Sequence, residues 1–234
     1  MFKIKSKFFA AMLVLLLAAC DKTPQPPMMY GGGERVSDAP IWLADELGYY
    51  ADVNLKLAGY ANSAEVTQAL RERKVQVAIL TLDEALLLRR DIPDLKIVLL
   101  LAEYADGAHA SGKQYDVLAA RDEDIGPRHR EMVGLVQGWR RALDEMQKDP
   151  AKAMPLMAAR KHLDAESFAN AWRGVTLLGW ASNQELLLDD PPRIAPDLDA
   201  AQRFLLSRGL IQMGGDAVTL VQPALLSEKD AGRE

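Results

Sequence analysis

Two apolar runs, "VQVAIL" from Val75 to Leu80 and "LKIVLLL" from Leu95 to Leu101, flank a segment that carries its own helix start. Near-continuous apolar runs of this length suit strands buried on both faces, as a parallel sheet requires. Between them, "TLDEALLL" sets Thr81 and Glu84 at capping-box spacing, which predicts a helix opening at Thr81. "DIPD" then turns the chain. Strand, helix and strand in this order predict a right-handed βαβ unit, and so an α/β layer architecture.

The pattern extends in both directions. Upstream, Asp38, Pro40 and Gly48 supply an N-cap, a first-turn proline and a C′ glycine for a helix over Ala39 to Leu47. "VNLKL" alternates Val53, Leu55 and Leu57 with polar residues, a strand with one buried face. Asn62 and Ser63 stand before a helix over Ala64 to Arg73, whose inner face holds Val66, Ala69 and Leu70. Downstream of a turn-rich joint at about 102–114, "YDVLAA" from Tyr115 to Ala120 predicts one more strand. Met132, Val136, Trp139, Leu143 and Met146 then mark a long amphipathic helix reaching about Lys148. Three more helices follow: one from Asp149 or Pro150, one capped by Asp164, and "DLDAAQRFLLSRG" closed by Gly209. The expected architecture is a mainly parallel sheet covered by helices, with a helical C-terminal layer.

The amino terminus stands apart from this body. "MFKIKSK" carries three lysines and no acid, and "FFAAMLVLLLAAC" is an apolar run ending in small residues before Cys20, the single cysteine in 234 residues. Residues 1–19 read as a secretory signal peptide, too short for a spanning helix of the mature chain. The alternative is an uncleaved anchor with an incidental cysteine. "LAAC" resembles the bacterial lipoprotein box, which implies diacylglyceryl transfer to Cys20, cleavage before it and acylation (palmitate) of the new amino terminus. Asp21 resembles the signal for retention at the inner membrane. Residues 20–36, rich in Pro and Gly, are expected to form the lipidated Cys and a flexible tether, and residues 37–234 a single lobe. Losing Lys3, Lys5 and Lys7 moves the formal charge from −5 to −8, an acidic surface that does not suggest nucleic acid. One cysteine forms no intrachain disulfide.

Catalytic and metal constellations are missing from the sequence. His109, His129 and His162 lie far apart without HExxH or His-Cys spacing, and no G-x-S-x-G elbow is present. "GGG" at Gly31 to Gly33 and "SGK" at Ser111 to Lys113 lack the rest of a phosphate loop. No enzyme activity, cofactor or metal is expected. Binding physics remains. In an open parallel sheet, ligands collect beyond the carboxyl ends of strands, where helix N-termini offer N–H groups. Asn62, Ser63 and Thr81 occupy such positions and suit a small anion or polar head group. The same residue types also serve as simple caps.

"PIWLADELGYYADVNLKLAGYANSAEVTQALRERKVQVAILTLDEALLL", Pro40 to Leu88, resembles the first lobe of the periplasmic substrate-binding proteins of ABC importers for sulfonates, taurine, nitrate and thiamine-precursor pyrimidines, of the type II fold. "WLADELGYY", "SAEVTQAL" and "VQVAILTLDEALLL" carry the likeness in order. The resemblance implies two lobes on a hinge, yet "VLLLAEYADGAHA" resembles the outgoing crossover and "SGKQYDVLAARDEDI" follows at once as the returning strand. The second lobe, on the order of a hundred residues, is missing between them. The family's first strand and its loop should precede the first helix, where "MMYGGGERVSDAP" offers only "MMY" and glycines.

The resemblance further implies capture of a small polar or anionic solute near Ser63 and Thr81, with Tyr104 and Asp106 at the hinge. It implies a location on the periplasmic face of the inner membrane and an ABC permease as partner, with binding weakened by loss of lobe two. Fungal pyrimidine-synthesis enzymes share the fold, but they would call for a cysteine-rich iron site that a chain with one cysteine lacks. A different reading is a lipoprotein scaffold or accessory subunit that uses the uncovered cleft face for protein contacts.

Overall fold

Met28 and Tyr30 have no exposed surface, although they lie inside a stretch whose composition reads as tether. They belong to β1 (Met28–Gly32), the strand that precedes the first helix. The structure, a computed structural model, describes residues 25–105, 112–212 and 214–227. The expected tether through residue 36 is therefore corrected: the ordered body begins by Met28. One of the glycines that suggested a flexible linker, Gly32, is required by close packing. A Cβ on Gly32 would lie 2.7 Å from the Tyr30 ring, closer than non-bonded carbons approach.

A short 3-10 turn (Val36–Asp38) leads into α1 (Ala39–Glu46). Then come β2 (Leu55–Gly59), α2 (Ser63–Arg71), β3 (Val77–Thr81), α3 (Leu82–Leu88) and β4 (Leu95–Tyr104). β5 (Tyr115–Arg121) returns, followed by α4 (Asp122–Ile125) and the long α5 (His129–Lys148). α6 (Pro150–Arg160), α7 (Ala165–Ala171), β6 (Val175–Leu177), α8 (Trp180–Leu187) and α9 (Ala195–Ser207) complete the regular elements. Two 3-10 turns, Ala217–Leu220 and Pro223–Leu226, end the described chain. The capping box at Thr81 forms: Glu84 N–H donates to Thr81 Oγ1 at 3.1 Å, and Thr81 N–H to Glu84 Oε2 at 2.7 Å.

The sheet order is β2-β1-β3-β5-β4-β6. β1 pairs in parallel with β2 and β3. β5 lies antiparallel between β3 and β4, with Val77 opposite Ala120 and Glu103 opposite Tyr115, and β6 pairs antiparallel with β4. The four strands β1 to β4 thus share one direction and two oppose it, so the sheet is mixed in its pairing. All seven residues of β5 are buried. β4 and β5 are consecutive strands and direct neighbours; the expected hinge joint at 102–114 links them, and no second sheet occurs among the described residues.

β6 covers only the Ala102 to Tyr104 end of β4. Elsewhere the far edge of β4 is closed by other groups. Buried Asn183 of α8 accepts from Leu100 N–H at 2.7 Å and donates to Leu100 C=O at 2.9 Å, as a neighbouring strand would. Gln222 N–H donates to Ile97 C=O at 2.9 Å. An open sheet edge would be a template for intermolecular pairing, and these groups close it. Apolar side chains from the sheet and from helices on both sides make one continuous core. In it, Trp139 of α5 and Phe168 of α7 are wholly buried.

Candidate ligand site

The turn after β1 swings Arg35 beneath the ends of three other elements. Its Nη1 donates to Asp116 Oδ1 of β5 at 3.1 Å, and its Nη2 donates to Ser63 Oγ of α2 and Glu84 Oε2 of α3, both at 2.9 Å. Asp116 Oδ2 also accepts from Ser37 Oγ at 2.5 Å and from Tyr104 O–H at 2.6 Å. Asp116 and Ser37 are fully buried, whereas about a fifth of the Arg35 side chain faces solvent. Residues from five parts of the chain therefore meet at the carboxyl ends of β1 and β3 and the start of β5. Beside them lies a cavity of about 260 Å³ lined by Gly33, Glu34, Arg35, Ser63, Val66 and Ile79.

Burial pushes the Asp116 carboxyl above its ordinary value; the Arg35 charge and the Ser37 and Tyr104 hydroxyls oppose it without cancelling it. Desolvation lowers the Arg35 pKa, but Asp116 and Glu84 outweigh it and hold the guanidinium above its ordinary value. Burial and the Asp116 charge raise the Tyr104 hydroxyl. One guanidinium faces two carboxylates, so the cluster is formally −1. It presents donors and acceptors together.

The expected site residues divide into three groups. Ser63 and Tyr104 enter the Arg35 network. Asn62 is exposed and turned into its own helix: its side chain accepts from Glu65 N–H at 3.0 Å. Thr81 is committed to the capping box. At both helix starts a carboxylate of the chain itself takes an N–H group, Glu65 from Ala61 at 3.1 Å and Glu84 from Thr81. Such groups are where an anion would bind a helix N-terminus. Cys20, Asp106 and His109 lie outside the described residues. Gln114, just before β5, donates to Asp83 Oδ2 at 2.7 Å, while the buried Asp83 Oδ1 has no hydrogen-bond partner among the described residues.

Sequence reasoning missed Arg35, Ser37, Glu84 and Asp116 as site residues. Arg35 and Asp116 are 81 residues apart, so no local spacing links them. One signal was available: Asp116 is the one acid within the run "YDVLAA", and an acid in a strand buried on both faces needs a partner. Among the described residues no group of three or more His, Cys, Asp or Glu could hold a metal ion, and no helix is long and apolar enough to cross a membrane.

The sequence matches no protein-family model and no curated protein. The fold, however, is that of periplasmic binding proteins. It resembles the CA3427 gene product of Candida albicans, described as having the generic periplasmic binding protein fold, with a TM-score of 0.60 and 9% identity over 85% of this chain and 96% of that one. A zinc-bound ligand-binding component of an ABC-type import system from Staphylococcus aureus gives 0.63 and 10%, over 87% and 99%. The periplasmic aliphatic sulphonate binding protein SsuA from Escherichia coli gives 0.61 and 9%, over 85% and 93%.

Proposed function

We propose that the chain is an extracytoplasmic solute-binding protein of the ABC-importer type, consisting of one lobe. In this reading it is held by a lipid on Cys20 at the periplasmic face of the inner membrane and serves an ABC permease. The observation that carries the proposal is the buried Arg35–Asp116 network, which lies where ligands collect in this kind of sheet and opens into a cavity. A single sheet with one continuous core supports the one-lobe reading.

The solute is small and polar. Of the sulfonate, nitrate and pyrimidine classes, the pyrimidine class fits the cleft best. The formal charge of −1 disfavours a bare anion, and Glu65 and Glu84 already fill positions an anion would take. A heterocycle with alternating donors and acceptors matches Arg35, Ser63 and Glu84. Without a second lobe about half of the usual enclosure is lost, so affinity is weak.

Calorimetry and thermal unfolding with aminopyrimidines, taurine, alkanesulfonates and nitrate test this. A ligand that binds the native state alone raises the midpoint. The expected result is a rise at millimolar aminopyrimidine that Ser63→Ala reduces. Submicromolar affinity in a monomer would sink the one-lobe reading, and no response to any solute would sink the binding reading. The sealed helix N-termini also favour a second reading, a lipoprotein scaffold that uses the cleft face for protein contacts. Dimerisation in native mass spectrometry, together with no solute response, would support it.

A further inference from the structure

A larger cavity, about 620 Å³, lies beside the Arg35 network. It is enclosed by the chain after β1 and β2 and by the carboxyl end of α6, and is lined by residues including Trp42, Tyr60, Arg160, Lys161 and Leu163. Its floor is fixed by a buried network. Asp38, with no exposed surface, accepts from Tyr30 O–H at 2.9 Å, Trp42 Nε1 at 3.0 Å and Lys161 Nζ, which also donates to Gly33 C=O at 2.6 Å. The Lys161 charge is thus already matched from below.

Two opposite charges on the walls form no salt bridge among the described residues. Arg160 lies over the Trp42 ring, its Cζ 4.5 Å from the centroid, and feels the charge of exposed Asp45 on α1 without closing to a salt bridge. Glu34, exposed on the rim shared with the smaller cavity, likewise forms none. Gly59 leaves room in the pocket, since a Cβ there would meet only the Trp42 ring at 3.9 Å, while Trp42, Tyr60 and Leu163 supply apolar walls. The formal charge of the whole pocket, counting Asp38 and with His162 neutral, is zero. A plain anion or cation leaves one wall uncompensated. A zwitterion with an apolar body compensates both.

We infer that this pocket binds a small zwitterion with an aromatic body, the chemistry of an aromatic α-amino acid. The carboxylate pairs with Arg160, the ammonium with Glu34, and the ring packs against Tyr60 and Leu163. This does not rest on the cleft reading: Ser63→Ala, which weakens the cleft, leaves this pocket intact.

The test is calorimetry on the purified full-length chain in mild detergent with four probes. L-phenylalanine carries every feature, L-phenylalaninamide lacks the carboxylate, N-acetyl-L-phenylalanine lacks the ammonium, and glycine lacks the ring. L-phenylalanine is expected to bind about tenfold or more tighter than each of the others, the scale of one charge-assisted contact. In Arg160→Gln the preference over the amide disappears while that over the N-acetyl compound persists; Glu34→Gln does the reverse. Gly59→Leu fills the space and abolishes binding of all four, with Arg140→Gln on the Trp180 ring as a silent control. A merely structural role for Arg160 or Glu34 would weaken all probes alike. That outcome, equal binding of acid and amide by the parent chain, or no binding of L-phenylalanine at ten millimolar would overturn the inference.

Discussion

Replacing Arg35 with Met removes the one cation that, among the described residues, pairs with the Asp116 carboxylate, which has no exposed surface. Asp116 keeps the Ser37 and Tyr104 hydroxyls but loses a charge-assisted hydrogen bond, a contribution of about 1.5–3 kcal/mol. Glu84 loses a second contact, but its side chain is about a quarter exposed and water replaces much of it, leaving at most about 0.5–1 kcal/mol. Arg35 is itself part-exposed, so water reaches the gap and the figure falls short of that for a sealed pair. The expected loss in urea unfolding at pH 8 is therefore about 2–4 kcal/mol.

Its pH dependence identifies the cause. Burial holds the folded Asp116 pKa above its unfolded value of about 3.9. Between these two values the folded state binds more protons than the unfolded chain, so stability rises as pH falls and is lost as pH rises through the folded pKa. Without Arg35 the folded pKa climbs further and the window widens. Below that new pKa the variant should recover against the parent by at most about 1.4 kcal/mol per pH unit. Asp116→Asn added to Arg35→Met should abolish the recovery. A loss below about 1 kcal/mol, or a deficit that stays constant from pH 8 to pH 5, would refute the buried-charge argument.

Other substitutions probe the frame around the site. Asn183→Ala strands the buried N–H and C=O of Leu100 and should cost about 2–5 kcal/mol in denaturant unfolding; parent-like stability would mean another group closes that edge. Thr81→Ala opens the capping box and should cost about 1 kcal/mol, measured by thermal unfolding. Gly138→Ala drives a methyl into the Tyr50 ring, which packs on α5. It should destabilise by about 1–3 kcal/mol despite the better helix propensity of Ala, and a more stable variant would contradict the packing described.

The elements that announced themselves in the sequence make their own local case. β3 and β4 are apolar runs long enough to read as buried strands, and the Thr81–Glu84 box is a hydrogen-bond pattern closed within four residues. β1 was not legible, because five residues with two glycines carry no period; its burial comes from β2 and β3 on either side. β6 was missed for the same reason, with three residues held by β4. The candidate site was half legible. Ser63 lies where a helix start suggests and the resemblance names Tyr104 only as a hinge residue, but what joins them is Arg35 and Asp116, which only the tertiary fold brings together.

The position of β5 has a bearing on biogenesis. β3, α3 and β4 emerge from the ribosome first, yet in the finished sheet β3 and β4 are not neighbours: a full strand's width separates them, and Tyr115–Arg121 fills it. Until that later segment arrives, two hydrophobic edges face an open slot, the kind of surface that aggregates or recruits a chaperone. A nascent chain halted before Arg121 would carry the slot unfilled, whereas one released a few residues later holds the strand that closes it. The short link from Tyr104 to Tyr115 keeps the closing strand tethered beside its slot, at a high local concentration, from the moment it is made.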